Sequence, residues 1–197
     1  MTGKRLSKEE RRQQLLQVAR SIIRTQGVEA LTLGYLAEQA GITKPIAYRH
    51  FIDREGLLIS IYQEFDDKQT AELNRSLAVE AKTLQQTIHI FCEAYLSCFI
   101  STGPEVGLVI AALSGSDILQ NYFQQCQQKF TEIFKQSMHP FIQLDGKEGE
   151  AIVIAIMGLI ETVSTAASKN QIDALTAQQV MENSLLVILQ DYSAAEI

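Results

Sequence analysis

The 197-residue chain has no tryptophan, 3 prolines, 3 cysteines and an aromatic fraction of 7%. So few prolines, together with 11 glycines, exclude a collagenous or loop-rich low-complexity chain. Cys92, Cys98 and Cys126 are odd in number and form no C-x-x-C pair, which argues against a disulfide framework or a zinc ribbon. No metal site is expected. The longest unbroken apolar run, Ala151 to Ile160, is bounded by Glu150 and Glu161. It is shorter than the ~20 residues of a membrane span, so no membrane partner is expected. The opening stretch, MTGKRLSKEERRQQ, lacks the apolar core of a secretory signal, and the expectation is a cytoplasmic protein. There is no G-x-S-x-G elbow, P-loop, H-E-x-x-H pair or run of Rossmann glycines. The three histidines, His50, His89 and His139, suggest no shared site. No catalytic residue, enzyme activity or cofactor is read from the chain.

Apolar residues make up 46% of the chain. At this length roughly two-thirds of the unfolded surface can be buried without a covalent staple. Net charge is -6, but it is unevenly placed: residues 1–56 hold 10 Lys+Arg against 6 Asp+Glu, and residues 57–197 hold 7 against 17. Basic charge gathered at one end is the footprint of a nucleic-acid-binding head. The acidic remainder would be repelled by phosphate, leaving the head to face a duplex.

Nearly every segment repeats at the helical period. Ser7-Lys8-Glu9-Glu10 forms a capping box, followed by Leu15, Val18, Ala19, Ile22 and Ile23, with Gly27 as the stop. Thr32 caps a short helix ended by Gly41. Thr43 caps a third, with Pro45 in its first turn, and Asp53 caps a fourth that joins the head to the rest of the chain. Helices are further expected over 84–100, 104–113, from Ile118 to near His139-Pro140, 148–168 and 176–192. The helix over 148–168 is apolar on nearly all sides, which implies cover on nearly all sides. No period-2 strand run is present. The fold class is all-α, with about nine helices.

The sharpest signal is residues 32–51, TLGYLAEQAGITKPIAYRHF. Two short helices flank a turn at Gly41, Leu36, Ala37, Ile42 and Ala47 pack the pair, and a polar N-terminal turn on the second helix faces outward. With G-V-E-A-L-T before it and Y-R-H-F-x-D-R-E-G-L-L after it, the stretch from Arg12 to Leu58 resembles the DNA-binding head of the tetracycline-repressor (TetR) family. The resemblance implies a three-helix helix-turn-helix DNA-binding head at 1–52 and a larger helical ligand-binding and dimerisation domain at 53–197. By the same resemblance, Thr43, Lys44, Pro45, Ile46 and Arg49 meet base edges, while Thr32, Tyr48, His50 and Arg54 hold phosphates. Lysine chemistry suits guanine O6 or N7, and Ile46 and Pro45 suit a thymine methyl; phosphate contacts set register without reading sequence. Gly34 departs from the pattern, standing where many members carry a longer, base-contacting side chain. Lys4 and Arg5 in the N-terminal arm read equally as groove contacts or as solvated tail charges.

The family dimerises through its last two helices. Here Ala151, Ala155, Gly158, Thr162 and Ala166 form a stripe of small residues that would admit another helix, and Leu185, Ile188 and Leu189 on the final helix complete the expected homodimer interface. A two-fold dimer implies a palindromic double-stranded operator with half-sites ~34–36 Å apart or a little more. Tyr95, Phe99, Tyr122, Cys126, Met157 and Glu161 are the candidate pocket for a small, largely hydrophobic effector. The implied function is a ligand-responsive DNA-binding regulator, a repressor in the cytoplasm, on the bacterial nucleoid when bound to DNA. The alternatives are an activator of the same build, or a ligand-sequestering helical protein whose head has weakened.

Overall fold

A computed structural model describes residues 6–100 and 104–192; Lys4 and Arg5 lie outside these. Among the described residues there are nine α-helices and no β-strand. They are α1 (Lys8–Gln26), α2 (Leu33–Gln39), α3 (Lys44–Phe51), α4 (Arg54–Glu80), α5 (Leu84–Ile100), α6 (Pro104–Ala112), α7 (Asp117–Met138), α8 (Gly146–Ser168) and α9 (Ala174–Leu189). Short 3-10 turns occupy Val28–Ala30 and Gln190–Tyr192.

The caps act where the sequence places them. Ser7 accepts from Glu10 N while the Glu10 carboxylate accepts from Ser7 N at 2.7 Å, satisfying two orphan helix donors reciprocally. Thr32 Oγ1 accepts from Tyr35 N, and Asp53 Oδ1 accepts from Gly56 N at 2.7 Å. Thr43 precedes α3 with extended backbone but its side chain makes no cap bond. Gly41 turns between α2 and α3 at φ 64°, a conformation that costs glycine nothing.

The chain divides into two compact units. The first comprises residues 1–67 and 103–121. Its core is built by Leu15, Leu16, Ala19, Ile22 and Ile23 from α1, Leu36 and Ala37 from α2, Ala47 and Phe51 from α3, and Leu57, Leu58 and Ile61 from α4. α6 packs on α1 within this unit, and Val109 and Leu113 are buried. The second unit comprises residues 68–102 and 122–197. Phe91 is fully buried there, edge-on to Phe130 and Phe134 at 5.3 and 5.1 Å, an arrangement that aromatic quadrupoles favour. Ile156, Ile160, Met181, Leu185 and Leu189 close the same core.

α8 departs from expectation in two ways. By length and composition alone its most apolar stretch could cross a membrane, because apolar character resumes after Glu161 ends the unbroken run. Its inner face, with Val153, Ile156, Met157 and Ile160, is core. Yet only 33% of its most apolar stretch is buried, so within one chain it is not covered on nearly all sides.

The corner between α3 and α4 carries local strain. Ile52 sits at φ 65°, ψ -60°, and Asp53 N donates to Phe51 O at 2.7 Å across it. This is the rarer and strained hand of γ-turn, on a β-branched residue that disfavours positive φ. Ile52 is 81% exposed, so little burial offsets the cost. Ile52→Gly is expected to stabilise the protein by about 1 kcal/mol, strain relief less the added unfolded-state entropy. Thermal denaturation should show Tm rising by roughly 2–4 °C; a fall would show that Ile52 is not strained there.

Candidate nucleic-acid interface

α2 and α3 pack through Leu36, Ala37 and Ala47, all buried, with Ile42 half-buried in the turn. That packing leaves Thr43, Lys44 and Pro45 exposed on the first turn of α3, Ile46 half-buried and Arg49 exposed. Tyr48 is 51% exposed on the same helix. These residues form one continuous outward surface, and Thr32 stands exposed at the start of α2 beside it.

His50 is half-buried, and its surroundings were not readable from the sequence. Arg12 Nη1 donates to His50 O at 3.3 Å, Arg12 Nη2 donates to Ser60 Oγ at 2.9 Å, and the guanidinium lies 5.0 Å from the Phe51 ring centroid. Lys8, Arg11 and Arg12 recur at one helical face of α1, so the bond from Arg12 brings that face to the end of α3. Burial first, and then the charges of Arg12, Lys8, Arg49 and Arg11, hold the His50 imidazole below its ordinary pKa. The signal that could have found this cluster was the basic i, i+3, i+4 spacing in α1; what it faced depended on tertiary packing.

A histidine held neutral in the native state gains a proton more readily when unfolded. Its contribution to stability is therefore full above pH ~6.5 and declines as pH falls from there through the depressed native value. Denaturant midpoints compared at pH 7.5 and 5.5 should fall more in the unaltered protein than in His50→Gln. Equal falls would remove His50 as the cause.

Arg54 is more committed than a free phosphate ligand. Its Nε donates to Leu31 O and its Nη2 to Val28 O, both at 2.9 Å, with Glu29 at 3.5 Å. It ties the start of α4 to the backbone that leads into Thr32.

The residues expected to form an effector pocket lie in the second unit. Tyr95 stacks on Phe99 at 5.4 Å between ring centroids and meets Phe130 edge-on at 5.1 Å. Burial, then the Glu161 carboxylate and Cys98, push the Tyr95 phenol well above its ordinary pKa. Met157 and Glu161 line a groove of about 560 Å³ between α7 and α8 with Gln127, Thr131, Ile154 and Gly158. Glu161 Oε2 accepts from Gln127 Nε2 at 3.2 Å. Tyr122 and Cys126 are half-buried on α7 and do not line that groove.

The candidate dimer residues separate into two groups. Ala151, Ala155, Gly158 and Thr162 are exposed along α8. Ile154 is 73% exposed among them, and Leu175 and Val187 on α9 are 68% and 63% exposed. Leu185 and Leu189 are fully buried in the chain's own core, and a side chain sealed inside one subunit offers no surface to another; Ile188 is half-buried. On α9 the outward apolar positions are Leu175, Val180 and Val187.

Residues 15–61 match the family described as bacterial regulatory proteins, tetR family. Over 84 residues the chain is 30% identical to the HTH-type transcriptional activator FasR of Mycolicibacterium smegmatis, covering 43% of this chain and 38% of that protein. It is 28% identical over 81 residues to the HTH-type transcriptional repressor ComR of Escherichia coli, covering 41% and 39%. The chain thus spans well under half the length of these relatives. The structure of the SmeT–triclosan complex is similar over 93% of this chain and 92% of that one, with a TM-score of 0.64 at 15% identity, a likeness of fold.

Proposed function

The head of this chain belongs to the tetR family of bacterial regulatory proteins, and from that premise we propose that the whole protein is a ligand-responsive DNA-binding transcriptional regulator rather than an enzyme. One observation carries the reading: the family's helix-turn-helix presents Thr43, Lys44, Pro45 and Tyr48 to solvent beside a cluster of cations around His50. In this reading residues 1–52 contact DNA. Thr43, Lys44, Pro45, Ile46 and Arg49 meet base edges in the major groove, and Thr32, Tyr48 and His50 hold phosphates. Arg54 supports them through the backbone it fixes and the charge it adds.

Residues 53–197 bind the effector and dimerise. The exposed faces of α8 and α9 meet their copies in a homodimer, whose two heads take the halves of a palindromic operator. The effector is a small, largely hydrophobic molecule, supported by the aromatic side chains around Tyr95 and by the fold shared with a protein that binds triclosan. α4 is one helix of 27 residues, and a ligand that displaces it would change the spacing of the heads. Release of DNA then requires the ligand to favour the DNA-incompetent state. Repression is the proposed sign of control; the likeness to FasR supports activation as the alternative. The site of action is the cytoplasm, on the nucleoid.

The test is selection of binding sites from a random duplex pool with the purified protein. Recovery of a two-fold symmetric site, bound with steep salt dependence, is the expected result. Folded protein that enriches no site at low salt, before and after removal of any co-purified small molecule, would refute it.

A further inference from the structure

Gly34 and Lys44 face each other across the α2–α3 pair. A Cβ built on Gly34 would lie 3.4 Å from Lys44 Cε, 3.7 Å from Lys44 Nζ and 3.9 Å from Thr32 Oγ1. The lysine stem thus lies along the space that a side chain at position 34 would fill. Its ammonium and the Thr32 hydroxyl thus both lie within 4 Å of the position that a Cβ at residue 34 would take, while Lys44 itself stays exposed. No ion pair engages that ammonium among the described residues. Thr32 Oγ1 already accepts from Tyr35 N at 3.1 Å, which leaves the hydroxyl hydrogen free to donate. A cation and a hydroxyl donor on either side of one open position, both on the exposed surface, suit a phosphate oxygen. They do not suit the planar edge of a guanine, which a lysine reaches only when extended into the groove.

We propose that Gly34 is a specificity-determining residue: by leaving its space open it seats Lys44 beside Thr32, so that Lys44 holds a backbone phosphate instead of reading a base. The inference rests on the DNA-binding reading above and reassigns one residue within it. It carries a second consequence. A longer side chain at position 34 would expel the lysine from its seat, so positions 34 and 44 are coupled. The coupling is steric and local, because the three heavy atoms nearest the built Cβ are two at the flexible end of Lys44 and the Thr32 hydroxyl oxygen.

The experiment measures binding of the purified full chain to its selected duplex and to single-base variants of it, across a salt series. Lys44→Ala is expected to weaken all duplexes by the same factor, within about twofold. It should also lower the slope of log affinity against log salt by ~0.9 per head. A changed preference at one base pair in each half-site, with an unchanged salt slope, would overturn the proposal. Gly34→Gln should reproduce the slope change, and the double variant should lose little more than either single one. Additive losses would overturn the coupling. Circular dichroism and thermal melts of each variant separate these effects from unfolding. Failure of the unaltered protein to bind any duplex with salt dependence is a different result, and it refutes the DNA-binding reading together with this inference.

Discussion

Gly56→Ala is expected to destabilise the head by about 3 kcal/mol, toward the upper end of what overpacking costs. The added methyl would lie 2.3 Å from Phe51 O, a backbone atom, so no rotamer change can relieve the clash. The corner cannot readily yield. Phe51 is 2% exposed, and its carbonyl already accepts from Asp53 N at 2.7 Å. Gly56 N donates to Asp53 Oδ1, while Gly56 O accepts from Ser60 Oγ at 2.7 Å. Ser60 in turn accepts from Arg12, which also holds His50 O. A displacement at position 56 therefore travels through one hydrogen-bond network to the end of α3. Melting monitored by circular dichroism should show the head's transition lowered by roughly 6–12 °C, and duplex binding should fall with it. An unchanged transition would mean that the corner relaxes freely, and the over-determination argued here would be wrong.

The same corner shows what was legible in the sequence and what was not. Local chemistry was legible: the Ser7–Glu10 box, the Thr32 and Asp53 caps and the Gly41 turn are each set by a few adjacent residues. So was the outward turn of Thr43, Lys44, Pro45 and Tyr48 on α3, because Ala47 fixes which face turns in, whereas Ile46 and His50, read as outward, are half-buried. The cluster around His50 was hidden, since Arg12 reaches partners 38 and 48 positions away and no local period encodes that. Arg54 reads as a phosphate ligand by position, yet it spends its donors on Val28 and Leu31 because α4 begins directly beside that turn. The seat of Lys44 depends on a missing atom, the Cβ of Gly34, and shows only when both helices are placed. α9 was ambiguous for another reason. It carries apolar residues on both sides, and the stripe Ala177, Met181, Leu185 and Leu189 turns in while Val180 and Val187 remain outside.

That outward face leads to the other large effect. In the homodimer proposed above, Gly158→Leu is expected to leave a monomer and to weaken binding to the proposed two-fold operator by a factor of ~10²–10⁴, the range in which bivalent attachment exceeds a single contact. A Cβ at Gly158 meets nothing within 4 Å inside the chain, so the chain's own packing does not demand glycine there. Glycine in a helix interior costs about 1 kcal/mol against alanine, a cost without return unless something outside needs the close approach. Ile154, exposed one turn earlier, and Ala155 and Thr162 flank it. Covering a side chain such as Ile154 is worth about 1.5–3 kcal/mol, a gain that a partner helix on this face would supply. In a lone chain the leucine would be tolerated and would favour the helix. Against a partner helix it would hold the backbones apart. Sedimentation at micromolar concentration separates the two cases, with Gly158→Ala as the milder member of the series. A Gly158→Leu protein that remains dimeric and binds its operator undiminished would show that α8 does not form the interface. A monomeric Gly158→Leu protein with undiminished affinity would show that one head suffices, and the two-fold operator reading would fall with it.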